Sequence, residues 1–384
     1  MLPDHETVDL TSSQENKSIV QSRVVRPSEL TESELQAWDD LAARLGHPNP
    51  LFEPSCLIPA ARYLSNRDRI RLAVATEDGR FYGCFPFQAE NRWRAIRRPL
   101  FTTQVRRMQY DGTPLIDPER GDEAVAALLD AVSDAGDGVR RGFLLFDWVD
   151  EGPVPGVIEH GATRGSYPVY RYHAWERPVV RRRETMSYRS DHGGKLLRNL
   201  GRLRRNLAKQ AGADVRFVDR SGDLGMPDTL MRVEAEGYKG STGVALRSHP
   251  GEAEWFVEMC DGFRKQGRLC LYALEAGDRP IALQLFLRGD DGLFLLKLTF
   301  EEEFAHFRPG IQLHLDVIDH VFAETNVQWI DTCTFEGNET LMHLYPDRKD
   351  VVAMVAGIGG PFDRALLKAV RRARGAKQAL HRSK

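Results

Sequence analysis

Cysteine is scarce and unpatterned in this chain: Cys56, Cys84, Cys260, Cys270 and Cys333 are the five in 384 residues, with no CxxC pair and no metal-type spacing. That excludes a disulfide framework and a four-ligand zinc site, and an odd count without a secretion signal points to reduced thiols in a cytoplasmic setting. Long apolar runs are missing as well. None approaches the roughly 18 residues that a membrane span needs, and the first residues are polar and acidic, so a soluble protein is expected. The third absence is an excess of one charge: 53 Lys and Arg stand against 55 Asp and Glu, a formal net charge of -2. The whole molecule is not built as a nucleic-acid binder and no specific nucleic acid is expected as a partner; what matters is where its charges sit.

What is present is enough chain for two domains, at about 100 to 200 residues each. Residues 1–23 are polar and aperiodic and read as a disordered leader. The N-terminal domain is placed at 24–183. It opens with a short strand at Val24 and Val25, a helix over 28–45 with Leu30, Leu35, Trp38 and Leu41 on one face, and a helix over 55–64. Strands 71–76 and 80–88 follow, joined through Asp78-Gly79, a strong hairpin turn. Arg92, Arg94, Arg97, Arg98, Arg106 and Arg107 are interleaved with aromatics; they read either as a solvated rim or as a wall of an inter-domain cleft for an anionic substrate. A helix over 121–135, a strand over 142–148 and a strand over 169–172 complete this half, and 177–183 reads as the linker.

The second domain is placed at 184–360. Over 195–210, Leu196, Leu200, Leu203 and Leu207 share one arc of a helix while Arg198, Arg202, Arg205 and Lys209 share the opposite one. One face packs; the other is a cationic ridge, either simply solvated or set to meet phosphates or anionic lipid. The order predicted after it is strand 215–219, helix 228–238, helix 251–266, strands 269–274, 280–287 and 292–300, helix 310–323, strand 327–332, a short helix at 339–344 and strand 350–355. Within this order, 297–326 stands out as a strand running into an acidic turn, Pro309-Gly310 and a helix. Glycine lets the backbone approach a ligand and the first helical turn offers unpaired N–H groups to a phosphate, although Pro-Gly before a helix is also ordinary turn chemistry.

Five segments occur in a suggestive order: KLLRNLGRLRRNL, EGYKGSTGVAL, GDRPIALQL, KLTFEEEFAHFRPG and DTCTFEGNETLMHLYPDR. Over roughly 189–355 the chain resembles the CelD/BcsL type of GNAT-like acetyltransferases, relatives of the FemABX proteins with two GNAT-like domains in tandem. The first half matches loosely, through NPLFEPSCLIPAARYL. The resemblance implies an α/β (α+β) fold of two tandem GNAT-like domains, each a mixed, mostly antiparallel sheet flanked by helices. It also implies transfer from an acyl-CoA, acetyl-CoA first, to an amino sugar or similar acceptor in exopolysaccharide or cell-surface polysaccharide synthesis. FemABX-like aminoacyl transfer from tRNA, and non-catalytic binding of an anionic ligand, stand as the alternatives. The usual pyrophosphate loop, R/Q-x-x-G-x-G/A, is not met: with Gly310 at its centre, Phe307 and Gln312 occupy its ends, so cradling falls to the backbone. Tyr238 stands where the family has Trp before Lys-Gly.

Such a transfer needs strand N–H groups for the pantetheine, a pyrophosphate cradle and a route for two protons. Leu298, Thr299 and Phe300 are the candidates for the first; Arg308, Gly310, Ile311 and Gln312 for the second. Glu302 and Asp331 are candidate bases acting through water and Tyr345 the candidate general acid, against plainer roles as turn acid, cap and packed aromatic. Tyr238 and Lys239, with Arg198, Arg202 and Arg205, are assigned to the acceptor. Cys333 has no His spaced to activate it and reads as a small buried residue. His314 and His320 fall on different faces of a helix, so no metal is expected. The tail, 361–384, carries Arg364, Lys368, Arg371, Arg372, Arg374, Lys377, Arg382 and Lys384 opposite Phe362 and Leu366. It reads as a solvated tail, a peripheral contact with the anionic inner face of a membrane, or a phospholigand element.

Overall fold

Asp78 and Asp290 both take left-handed backbone, with φ of 50° and 49°, a conformation that the short side chain of Asp tolerates and a two-residue hairpin turn demands. Each closes a hairpin, one in either half of the chain. The computed structural model describes residues 20–90, 100–107, 109–135, 142–150, 152–183 and 194–382, the side chains of 373–382 apart. The first half forms β1 (Gln21–Val25), α1 (Glu32–Arg44), α2 (Pro54–Tyr63), β2 (Arg71–Glu77), β3 (Arg80–Glu90), β4 (Leu100–Thr102), β5 (Leu115–Ile116), α3 (Gly121–Asp134), β6 (Phe143–Asp150), α4 (Pro153–Arg164) and β7 (Val169–Arg181). The second forms α5 (Gly194–Ala211), β8 (Val215–Asp219), α6 (Met226–Glu236), α7 (Tyr238–Ser241), α8 (Glu252–Lys265), β9 (Leu269–Ala276), β10 (Arg279–Gly289), β11 (Gly292–Phe300), α9 (Pro309–Glu324), β12 (Trp329–Asp331), α10 (Glu339–Leu344), β13 (Asp347–Gly357) and α11 (Pro361–Arg382).

The strands make one mixed sheet in the order β1-β2-β3-β4-β6-β13-β7-β12-β11-β10-β9-β8, with β5 beside β3. Two neighbouring pairs are parallel, β4 with β6 and β11 with β12, and the rest are antiparallel. The pattern is therefore stated twice: antiparallel strands, a crossover helix (α3, then α9), and a strand returning parallel to the last. The sharing of strands is what joins the copies. β13, from the end of the second half, lies between β6 and β7 of the first, and β7 also pairs with β12.

That pairing corrects the linker assigned to 177–183. Residues Arg177 to Arg181 continue β7, with Val179 opposite both Asp347 and Asp331. Arginine beside proline looked solvated, but Arg177 is wholly buried and neutralised by acids from neighbouring strands. The helix α4 was not expected, because two prolines and a glycine interrupt its first turns; both prolines fall in the first turn, where the missing N–H costs nothing. The first strand begins at Gln21 instead of Val24, and residues 1–19 of the leader, like Arg92, Arg94, Arg97 and Arg98, lie outside the described residues.

One apolar core runs through both halves, from Trp38, Phe52 and Phe85 to Phe256, Phe263 and Leu285. On this face α2 and α8 meet: the Trp255 indole donates to the Cys56 carbonyl at 3.1 Å, and Arg268 grips Glu53. A second core, around Leu313, Ile318, Ile330 and Tyr345, lies under α9 and α5.

Candidate active site

Parallel pairing of β11 with β12 stops early, at Gly292–Phe294 opposite Trp329–Asp331. β11 then runs on alone on that side to Phe300, held only by β10. A one-residue bulge marks the divergence: Leu285 faces Lys297 and Phe286 faces Leu295, which leaves Leu296 with no opposite residue. Beyond it, Glu301 N–H donates to the Ile281 carbonyl on β10 at 2.9 Å. Alternation along a strand therefore turns the backbone groups of Leu298 and Phe300 the other way, into the opening. The N-terminus of α9 stands over it. Arg308 is left-handed at φ 55°, Pro309 starts the helix, and no side chain caps the first-turn N–H groups. A Cβ built on Gly310 would come to 3.5 Å from Leu298 and Phe300, so the glycine lies directly against the open strand.

Polar groups gather around this opening. Lys239, on α7, reaches into it and donates to the Leu298 carbonyl at 2.7 Å; its ammonium is also 3.2 Å from Glu234. Glu234 is buried on α6, takes Lys297 at 2.9 Å and accepts from Leu246 N–H. Burial raises its pKa, but the two lysines more than offset this and hold it below the ordinary carboxylate range. Neither Glu234 nor Lys297 was singled out from the sequence, although one lysine inside the apolar run LFLLKLTF is a signal that a buried partner exists. Tyr238, at the head of α7, is exposed, and its N–H donates to Glu302 at 3.3 Å. Glu302 is itself exposed, while its neighbours Glu301 and Glu303 both pair with Arg279.

Under the first turns of α9 lie three buried side chains with unpartnered atoms. Gln284 donates to the Gly310 carbonyl, Gln312 to the Phe307 carbonyl, and His314 shares a 2.6 Å hydrogen bond with the Tyr345 hydroxyl. The remaining Gln284 Oε1, Gln312 Oε1 and His314 Nε2 have no partner. Burial drives the His314 pKa down to about 3, so the ring is neutral. Tyr345 is thus sealed beneath α9 and engaged. Gln312 is a tie within the turn, which leaves Arg308, Gly310 and Ile311 at the uncapped start of α9.

Asp331 is placed at the end of β12 but is not exposed at all. Arg177 and Lys349 each stand 3.2 Å from its Oδ2, and Cys333 N–H donates to its Oδ1. Burial raises its pKa, and the two cations bring it below the ordinary value. It belongs to a buried cluster with Asp150, which pairs with Lys349, and Asp111, whose Oδ2 is unpartnered. The Cys333 thiol is buried beside these carboxylates and pushed well up, away from thiolate chemistry. Among the described residues no group of three or more His, Cys, Asp or Glu is arranged to hold a metal.

Arg198, Arg202 and Arg205 do share an exposed face of α5, and among the described residues none of them has a carboxylate within ion-pair distance. The buried face of α5 packs Leu203 and Leu207 on Phe304 and Phe307, which brings the ridge beside the turn that leads into α9. The structure therefore gathers the β11 strand end, the α9 turn, Tyr238, Lys239 and Glu302 at one opening, flanks it with the ridge, and sets Asp331 and Tyr345 below it.

Residues 194–341 match the family model described as an acetyltransferase (GNAT) domain. No curated protein matches the chain. Among solved structures, FemX is similar at 10% identity, over 91% of this chain and 100% of that one, with a TM-score of 0.53. A conserved protein of unknown function from Bacteroides thetaiotaomicron is similar at 12% identity over 84% and 96%, with a TM-score of 0.50. A tandem GNAT protein from the clavulanic acid biosynthesis pathway aligns at 13% identity over 89% and 99%, with a TM-score of 0.49. The likeness to FemX and to the Bacteroides protein is of fold; the domain match, over residues 194–341, supports an acyltransferase in the C-terminal half.

Proposed function

We propose that this acyltransferase domain moves an acyl group from an acyl-CoA, acetyl-CoA first, to the amine of an amino sugar or similar acceptor in cell-surface polysaccharide synthesis, as CelD/BcsL-type proteins are expected to do. The observation that carries the reading is the bulged, one-sided β11 beside an uncapped helix start. Leu298 and Phe300 would hold the pantetheine amides, and the N–H groups of Gly310 and Ile311 the pyrophosphate. The acyl-CoA would supply an activated acyl group at this opening. Glu302 is the carboxylate left accessible to take a proton from the amine through water, because Asp331 is held in ion pairs; Asp331 and Tyr345 act as positioning residues. Tyr238 and Lys239 face the acceptor. The polysaccharide setting rests on the motif resemblance.

Titration calorimetry of the full chain with acetyl-CoA tests the core of this. Saturable binding at micromolar to sub-millimolar cofactor is expected; no heat at about millimolar cofactor would remove the acyl-CoA reading. The exposed cationic ridge of α5 favours one second reading, aminoacyl transfer from a charged tRNA, since phosphates would be met by Arg198, Arg202 and Arg205. Loss of transfer activity on ribonuclease treatment separates it from the first. A non-catalytic anion-binding role is excluded by any acetyl transfer above background.

A further inference from the structure

The two halves enclose a pocket of about 450 Å³ on the far side of the loop joining α7 to α8. Its first-half wall includes Gln88, Thr102, Arg106 and Asp147; its second-half wall is His249, Pro250 and Glu252. Gly251 sets that wall: at φ 79° it passes so close to the end of α2 that a Cβ there would sit 1.9 Å from the Tyr63 carbonyl. The acids of the pocket are committed. Glu252 pairs with Arg107, Glu90 with Arg69, and Asp147 accepts from Tyr172 and Thr102. Arg106 is not. It is 7% exposed, lies over the Trp255 ring at 4.6 Å, and among the described residues makes no hydrogen bond or ion pair, with Nε and Nη2 buried and unpartnered. A buried guanidinium without a counter-charge is costly to keep, and it is satisfied when an anion enters beside it.

A run of hydrogen bonds ties the wall of the pocket to the opening on β11. Arg107 donates to the Val244 carbonyl, Val244 N–H to the Lys239 carbonyl, and Lys239 to the Leu298 carbonyl. We infer that Arg106 marks an acceptor subsite that reads a carboxylate or phosphate on a hydroxyl-bearing acceptor, while the acceptor's amine reaches past α7 to Leu298. Gln88 and Thr102 line the same pocket and are the candidate partners for the acceptor's hydroxyls. The inference rests on the acyl-transfer reading for the identity of the ligand as an acceptor, and the anion site is testable apart from it.

The test titrates the full chain with D-glucose 6-phosphate and D-glucuronate, with D-glucose as the uncharged control, followed by tryptophan fluorescence. At least one of the two anions is expected to saturate and glucose is not; whichever binds identifies phosphate or carboxylate as the group read. Arg106→Met keeps an apolar stem over Trp255 and should lose about tenfold or more in affinity. It should also melt no lower than the parent without ligand, because it deletes an unpaired buried cation. Arg106→Lys keeps the charge without the fork and should weaken binding less; it serves also if the Met variant does not fold. Binding by neither anion, unchanged affinity in either variant, or a lowered melting temperature with unchanged affinity would overturn the subsite. Acetyl-CoA affinity should be the same in all three proteins. A parent that binds the sugar anion but not acetyl-CoA defeats the acyl-CoA reading and leaves the subsite standing; the reverse defeats the subsite alone.

Discussion

Asp111, Asp150 and Asp331 meet Arg177 and Lys349 where β6, β7, β12 and β13 converge, and Asp111 is the member that the cations satisfy least. Burial, then the neighbouring Asp150, pushes its pKa up to about 8. The sign follows from linkage: a carboxyl whose folded value lies above its unfolded one adds stability below the ordinary carboxylate range, and that stability is lost as pH rises through about 8. Thermal melts between about pH 6 and 9 should therefore fall more steeply for the parent than for Asp111→Asn; parallel profiles would contradict the assignment. Asp331 behaves oppositely, since its depressed pKa contributes above the ordinary range and is lost on acidification. Arg177→Met strands two acids in the core and should cost about 3 to 5 kcal/mol in urea denaturation. At this scale the sequence was least legible. Arg177 read as linker and Lys297 passed as a strand residue, because a charge is recognised as buried only when its partners, distant in the chain, are known.

The turn from β11 into α9 is the element most readable in advance: strand, Pro309-Gly310 and helix appear as expected, while the bulge at Leu296 had no signal in an unbroken apolar run. Gly310→Pro should abolish acetyl-CoA binding in calorimetry with the circular dichroism of the chain retained, since position 310 is in the first helical turn and forfeits no intrahelical bond. Gly310→Ala fits without clash, at 3.5 Å from its neighbours, and should weaken binding while leaving the melting temperature nearly unchanged. On α5, replacing Arg198, Arg202 and Arg205 together by Gln should leave stability within about 0.5 kcal/mol, as befits exposed positions. The same change should flatten the salt dependence of cofactor or tRNA affinity; an unaltered salt slope would reduce the ridge to a solvated face. Its leucine and arginine arcs were plain from periodicity alone, unlike α4, whose prolines masked it.

At the scale of the whole molecule, one sheet and one apolar core cross the boundary placed near residue 183. A single cooperative calorimetric transition is expected, and residues 184–360 made alone should stay poorly structured, since β13 would lose both of its neighbours. Two independent transitions would mean that the halves are held together loosely. Tandem repetition was implied by the motif resemblance; the exchange was not legible, because no local pattern tells a strand which half it will join. No helix among the described residues is long and apolar enough to cross a membrane. The exchange also has a consequence during synthesis. The ribosome releases β6 and β7 long before β12 and β13, so the first half must wait with one bare edge on β6 and both edges of β7 exposed, the condition under which nascent chains mispair with one another. The last strand to emerge is the one that closes the first domain begun.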